Sequence, residues 1–339
     1  MPVPFSAEES DSLRRLLCAL GDHIRDAIAH ARGADASLDA AKIARESQAD
    51  TIYQIDKISE DAIAVWFGKN WPAEWPVELI AEGLEGHPVT FPRGTPVAQT
   101  RWKCIVDPID GTRGLMYDKR PAWVLAALAP QRGEGTMLSD LFVAAMTELP
   151  VTKQWRADQI SAVRGCGIVA ESVNVFDHTR APLRLQPSRA TDFHHGFASF
   201  VKFFPEGRVL TARIEERLWE TLGVLGRAHS PPIFDDQYIS TGGQFYELLA
   251  GHDRLIGDLR PLIHEAAGLD RSLACHPYDA CTMLILGEAG VIIESPCGGA
   301  VDAPLDTTTP VAWIGFANAS LASLARPALR SALAEILKR

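Results

Sequence analysis

The stretch Trp102-Lys103-Cys104-Ile105-Val106-Asp107-Pro108-Ile109-Asp110-Gly111-Thr112 decides how this chain is read. The apolar run 102–106 has strand character and delivers a carboxylate, Asp107, at its end. Pro108 fixes the backbone so that the chain turns at once, and two aspartates three residues apart on such a turn can project toward one point. Gly111 lets backbone amides come close to an anion. Oxygen donors grouped in this way suit Mg²⁺, which also takes phosphate oxygens as ligands. The competing reading is local: Asp-Pro followed by Asp-Gly is also a pair of turn signals. These residues alone do not separate the two.

Working outward, Ser6-Ala7-Glu8-Glu9 has the form of a capping box, and Leu13, Leu16, Leu17, Leu20, Ile24 and Ile28 follow at helical spacing until Gly33. A second helix is expected after Asp56, with Ala62, Val65 and Trp66 facing inward and Pro72 beyond its end; Asp56 would fit its cap. The run 77–81 reads as a strand emptying into Glu82-Gly83, and 122–129 and 141–146 as further strands of the same sheet. Beyond Pro150 the strands shorten (160–163, 168–169, 198–203). Helices are expected over 211–225, 243–250, 280–289 and 319–337, with strands at 291–293 and 311–316. Strands and helices alternate without a βαβ period or an internal repeat. This predicts an α/β (α+β) layered sandwich, not a barrel. We expect two subdomains: 1–150, α+β with the main metal site, and 151–339, α/β and completing the metal and substrate site.

Bulk properties narrow the function. With 47% apolar residues in 339, the chain can bury a large core. A net charge of −10 excludes a general nucleic-acid polymer or anionic-membrane binder, which needs a basic face. It does not exclude an anionic substrate, because divalent cations invert a local field. Six cysteines, at 18, 104, 166, 275, 281 and 297, form no CxxC pair or zinc spacing and read as reduced core thiols. Residues 1–11 lack a signal pattern and no apolar run reaches spanning length, so a cytoplasmic protein is expected. His194-His195 would point oppositely on a strand and make a poor metal pair. Among Arg101, Lys103, Arg113, Lys119 and Arg120, most are expected to be solvated; Arg113, next to Thr112, is the exception.

Asp56, Glu82, the Asp107 to Thr112 motif and His276-Pro277-Tyr278-Asp279-Ala280-Cys281, in that order, resemble the inositol monophosphatase family of lithium-sensitive, Mg²⁺-dependent phosphomonoesterases. The family's central motif, Asp-Pro-x-Asp-Gly-Thr/Ser, is intact. Its late motif, Trp-Asp-x-Ala with a following Glu-Ala-Gly, is similar to Tyr278-Asp279-Ala280-Cys281 and Glu288-Ala289-Gly290, with tyrosine in place of tryptophan. Ile239-Ser240-Thr241-Gly242-Gly243 is similar to the turn that helps form the family's substrate pocket. The Gly-Glu-Glu motif is altered to Ala81-Glu82-Gly83-Leu84-Glu85; Glu82 matches the first glutamate, with Glu85 the lesser substitute.

The resemblance implies an αβαβα sandwich of the sugar-phosphatase type and a homodimer. It implies that Glu82, Asp107, Asp110, Asp279 and the Ile109 carbonyl hold two or three Mg²⁺ ions. Thr112, hydrogen-bonded to Asp56 or Glu82, would orient the attacking water. Asp110, Gly111, Thr112, Arg113, Thr241, Gly242 and Asp279 would contact a small phosphorylated substrate. Two departures bear on which one. Arg113-Gly114-Leu115 looks more like the Lys-Gly-Phe of the family's 3′-phosphonucleotide phosphatases than the Thr-Asn-Phe of the inositol enzymes. Extra chain at 260–275 follows the point, near Asp258 or Leu259, where a substrate-binding glutamate is expected. Inositol monophosphate is thus the family default, and a nucleotide or sugar bisphosphate is the alternative. A non-catalytic phosphate-ligand-binding relative is disfavoured, because Glu82, Asp107, Asp110, Asp279 and Thr112 are all present.

Overall fold

The computed structural model describes residues 6–34, 43–46, 51–84, 88–225, 233–270 and 273–338. Helix α1 (Ala7–Ala34) buries Leu13, Leu17, Leu20, Ile24 and Ile28 along one stripe, and the Ser6 Oγ accepts the Glu9 amide at its start. A short antiparallel pair, β1 (Ile43–Glu46) and β2 (Thr51–Tyr53), leads into α2 (Gln54–Asn70). The buried face of α2 is Ile63, Trp66 and Phe67, while Val65 is exposed. Trp66 thus faces inward as expected, but Val65 does not: at 100° per residue it lies away from the stripe that Ile63 and Phe67 define.

The chain continues through β3 (Val77–Ala81), β4 (Val89–Phe91), β5 (Trp102–Asp110), α3 (Thr112–Met116), β6 (Ala122–Pro130), β7 (Val143–Leu149), β8 (Arg156–Val163), β9 (Ile168–Asn174) and β10 (Arg180–Pro182). These strands form one eight-stranded sheet in the order β10-β9-β8-β7-β6-β5-β3-β4, crossing residue 150 without a break. Only β3 and β5 pair in parallel. All of β5 is buried, as an apolar strand covered on both faces must be. It does not stop at Asp107 as expected. It passes through Pro108 with a register shift between Asp107 and Asp110, the irregularity that a residue without an N–H imposes on a ladder.

Then come β11 (Gly196–Phe200), α4 (Arg208–Thr221), β12 (Ile233–Phe234), α5 (Thr241–Leu249), β13 (Asp253–Asp258), α6 (Arg260–Ala267), α7 (Pro277–Ala280), α8 (Met283–Glu288), β14 (Ile292–Glu294), β15 (Trp313–Phe316) and α9 (Ala319–Leu337). The second sheet has the order β12-β11-β13-β15-β14, with β11, β12 and β13 parallel. The helix expected over 280–289 is in fact two. Thr282, at φ −93° and ψ 9°, leaves the helical line, so α7 meets β5 while α8 packs on β7 and β8. Part of the 260–275 stretch is α6, started by Pro261 in its first turn and stopped by Gly268 at φ 67°.

Three cores define five layers. α1 and α2 cover one face of the large sheet; α5, α7 and α8 lie between the two sheets; α4 and α9 cover the outer face of the second. The order is αβαβα, as expected. Among the described residues no helix is long and apolar enough to cross a membrane. All six cysteines are free, but Cys166 and Cys297 are exposed and are not core thiols.

Candidate metal centre

The middle of the sandwich brings three carboxylates together. Asp107, Asp110 and Asp279 each offer an oxygen, and these oxygens lie within 4.8 Å of one another. Asp107 and Asp110 come from the irregular end of β5, and Asp279 from α7, which packs against that strand. Glu82 stands where β3, the parallel neighbour of β5, ends; its amide donates to the Val106 carbonyl at 3.3 Å.

Each acid is held by short-range bonds. Asp107 Oδ1 accepts the Ile109 amide at 3.0 Å. Asp279 accepts the His276 amide at 2.6 Å, closing the first turn of α7. Asp110 accepts three bonds from the start of α5: Ser240 Oγ at 2.8 Å, the Thr241 amide at 3.1 Å and the Gly242 amide. Ser240 also caps α5, its Oγ accepting the Gly243 amide at 2.8 Å. Two glycines permit this contact. Gly111 sits at φ 98°, where a Cβ would lie 2.9 Å from the Ser240 Cβ; one on Gly242 would meet Leu125 Cδ2 at 2.6 Å.

The electrostatics follow from burial. The Asp107 carboxyl is pushed well above the ordinary range, first by loss of water and then by Glu82, Asp110 and Asp279. Asp279 is raised strongly for the same first reason, followed by repulsion from Asp110. Asp110 is raised by burial against the opposing pull of its three donors. Such a set of hard oxygen donors, crowded and desolvated, is what a divalent cation neutralises, so the residues present fit Mg²⁺.

The remaining candidate residues are distributed as follows. Thr112 Oγ1 donates to the Ile109 carbonyl at 2.9 Å. Gly111 and Arg113 flank it, both half-buried. Thr241 and Gly242 reach the centre through Asp110. Asp56 lies in the first turn of α2, and its side chain and Glu85 fall outside the described residues. His276 packs instead of facing open space: its ring stacks on Tyr278 and is 7% exposed. His194 and His195 occupy a turn before β11, not the strand expected. Of the basic cluster, Lys103 is buried against Glu78 and is not solvated, while Arg120 pairs with Asp236 at the surface. Glu288 of the late motif accepts the Gly165 and Gly167 amides, pinning the β8–β9 turn.

Arg260 was missed as a site residue. Its guanidinium forks onto Asp258, and its charge opposes the rise at both Asp110 and Asp279. The available signal was Asp258-x-Arg260, opposite charges two residues apart where a strand meets a helix.

The layers define the fold shared by inositol monophosphatases and fructose-1,6-bisphosphatase. In particular, the structure is similar to the extragenic suppressor protein SuhB of Bartonella henselae, with TM-score 0.62 and 15% identity over 95% of this chain and 98% of that one. It is similar to Leishmania major fructose-1,6-bisphosphatase, with TM-score 0.62 and 12% identity over 95% and 93% of the two chains. It is also similar to a Thermotoga maritima IMPase, with TM-score 0.59 and 15% identity over 97% and 99%. No family model matches the sequence, and no curated protein does. At these identities the likeness establishes the fold.

Proposed function

We propose that this chain is a Mg²⁺-dependent phosphomonoester hydrolase acting on a small phosphate ester. The observation that carries the reading is the convergence of Asp107, Asp110 and Asp279 in a fold used by phosphatases. In this reading Glu82, Asp107, Asp110, Asp279 and the Ile109 carbonyl hold two or three ions. Bound there, Mg²⁺ supplies charge to the phosphoryl oxygens and acidifies a water in its shell.

The protein's own groups do the positioning. The Thr112 hydroxyl donates its hydrogen bond to the Ile109 carbonyl, so its oxygen is left to accept a hydrogen bond from the attacking water and orient it in line with the leaving alcohol. Glu82 or Asp56 takes the proton that this water releases. The amides of Gly111 and Thr112 and the side chain of Arg113 hold phosphate oxygens. Thr241 and Gly242 act by fixing Asp110. Every acid has a ligand or base role, so no covalent phosphoenzyme is invoked.

Inositol monophosphate is the default substrate. A nucleotide or sugar bisphosphate is the second reading, favoured by the buried cation Arg260 beside the carboxylates. The test is phosphate release from inositol 1-phosphate, fructose 1,6-bisphosphate and 3′-phosphoadenosine 5′-phosphate with Mg²⁺. One or more should be hydrolysed. No release from any, by folded protein that binds Mg²⁺, would leave a phosphate-ligand-binding protein instead.

A further inference from the structure

The three donors that fix Asp110 sit on one short turn, Ser240 to Gly242, and a turn can aim its donors only if it is itself held. Tyr238, two residues before it, supplies an anchor. This side chain is 7% exposed. Its hydroxyl donates to the Pro121 carbonyl at 3.0 Å and accepts the Trp123 indole N–H at 3.3 Å. Pro121 and Trp123 flank the first residue of β6, and Trp123 is the residue opposite Asp110 in the β5–β6 ladder. A closed path therefore runs from Asp110 across the ladder to Trp123 and through the Tyr238 hydroxyl. It returns along Tyr238-Ile239-Ser240 to the Asp110 carboxylate.

The rest of Tyr238 tightens this path. Its carbonyl accepts the Ser240 amide at 2.9 Å and the Gln244 side-chain amide at 2.9 Å, so the turn and the start of α5 fold back onto it. Its ring lies against Gly243, where a Cβ would meet the Tyr238 Cζ at 2.4 Å. The Arg120 guanidinium sits 5.1 Å from the ring centroid and is fixed in turn by both carboxylate oxygens of Asp236, each at 2.7 Å. Ile239, by contrast, is 39% exposed and gives the turn little hold. Without the hydroxyl, the Trp123 N–H and the Pro121 carbonyl would lose this partner, and the turn would be released from β6. Mg²⁺ tolerates little error in ligand placement, because it demands near-octahedral geometry.

We propose that Tyr238 is a positioning residue for Asp110, holding the Ser240 to Gly242 turn against β6 so that the carboxylate is aimed before a cation arrives. The proposal deepens the reading of the three aspartates as a Mg²⁺ centre and rests on it.

The test titrates Mg²⁺ alone into chelator-stripped protein by calorimetry. Hydrogen exchange of the Thr241 and Gly242 amides is a second readout that needs neither metal nor substrate. In Tyr238→Phe, which keeps the ring, Mg²⁺ should bind about tenfold more weakly, the scale of one lost buried hydrogen bond. The two amides should exchange about tenfold faster, measured against the amides of β7. Phosphate release should fall at limiting Mg²⁺ and recover as Mg²⁺ saturates. Tyr246→Phe is the control: it also removes a hydroxyl bond, to Asp158 at 2.7 Å, but from the far part of α5, and should change neither readout. Unchanged Mg²⁺ affinity in Tyr238→Phe, or an equal loss in Tyr246→Phe, overturns the assignment and leaves Tyr238 a packing residue. If the wild type binds no Mg²⁺, the metal-centre reading has failed and exchange alone decides. Faster exchange of the two amides in Tyr238→Phe then supports positioning of Asp110, and unchanged exchange overturns it.

Discussion

Asp110 answers to two elements at once. It ends β5, and its carboxylate accepts three bonds from the start of α5. Asp110→Asn would present an amide N–H₂ to those donors and weaken the metal set. Phosphate release should fall at least about a thousandfold in kcat/KM, with a stability loss of about 1–3 kcal/mol in thermal melts. A variant with near-normal turnover would remove Asp110 from the centre. Gly111→Ala should be destabilised by about 1–3 kcal/mol, because alanine is strained at φ 98° and its Cβ would press on Ser240. Denaturant melts would read that loss, and an unchanged midpoint would contradict it. Asp107 and Asp110 were legible in the sequence because spacing and strand character are local, whereas Asp279 was reached only through the resemblance of its motif. The grip of Ser240, Thr241 and Gly242 on Asp110 was not: it joins residues some 130 positions apart, and only the docking of α5 creates it.

At the scale of elements, the clear cases were those whose burial pattern is periodic or whose ends are marked. β3 and α9 have the bounds expected, β3 because a short apolar run is stopped by Glu82-Gly83 and α9 because a long amphipathic helix announces itself through period. The break between α7 and α8 was hidden, since 280–289 is apolar nearly throughout and has no Gly or Pro where it bends. One cap can be tested directly: Ser240→Ala should cost about 1 kcal/mol by freeing the Gly243 amide, and should also lower turnover through Asp110. Glu148, in β7, is pushed up to about 7, mainly by burial. The unfolded carboxyl ionises near pH 4.5, so between these values the folded chain holds a proton that the unfolded chain has released. Stability from this group is full at low pH and declines as pH rises to about 7. The fall in melting temperature from pH 5 to pH 8 should therefore be smaller in Glu148→Gln than in the wild type; equal falls would show that Glu148 does not titrate in this range.

Across the whole molecule, the acids join different layers: Asp107 and Asp110 belong to the large sheet, Asp279 to the helical layer between the sheets. A cation held by all three would tie these layers together. A layered α/β sandwich was legible because the alternation of elements leaves few ways to cover every apolar face, and its αβαβα order came from the family resemblance. The packing of Arg260 against Asp258, Phe203 and Phe204 was not legible, because it depends on where separate elements meet in space. Mg²⁺ at a hundred times its Kd should add about 2.7 kcal/mol to stability, and Asp279→Asn should lose most of that gain. The most direct measurement is the initial rate of phosphate release, from the best ester in the panel, as Mg²⁺ is titrated into chelator-stripped wild type and Asp107→Asn. The expected result is no release without Mg²⁺, a saturable rise in the wild type and no comparable rise in the variant. Release that is indifferent to Mg²⁺, or equal in the two proteins, would contradict a phosphatase built on Asp107, Asp110 and Asp279.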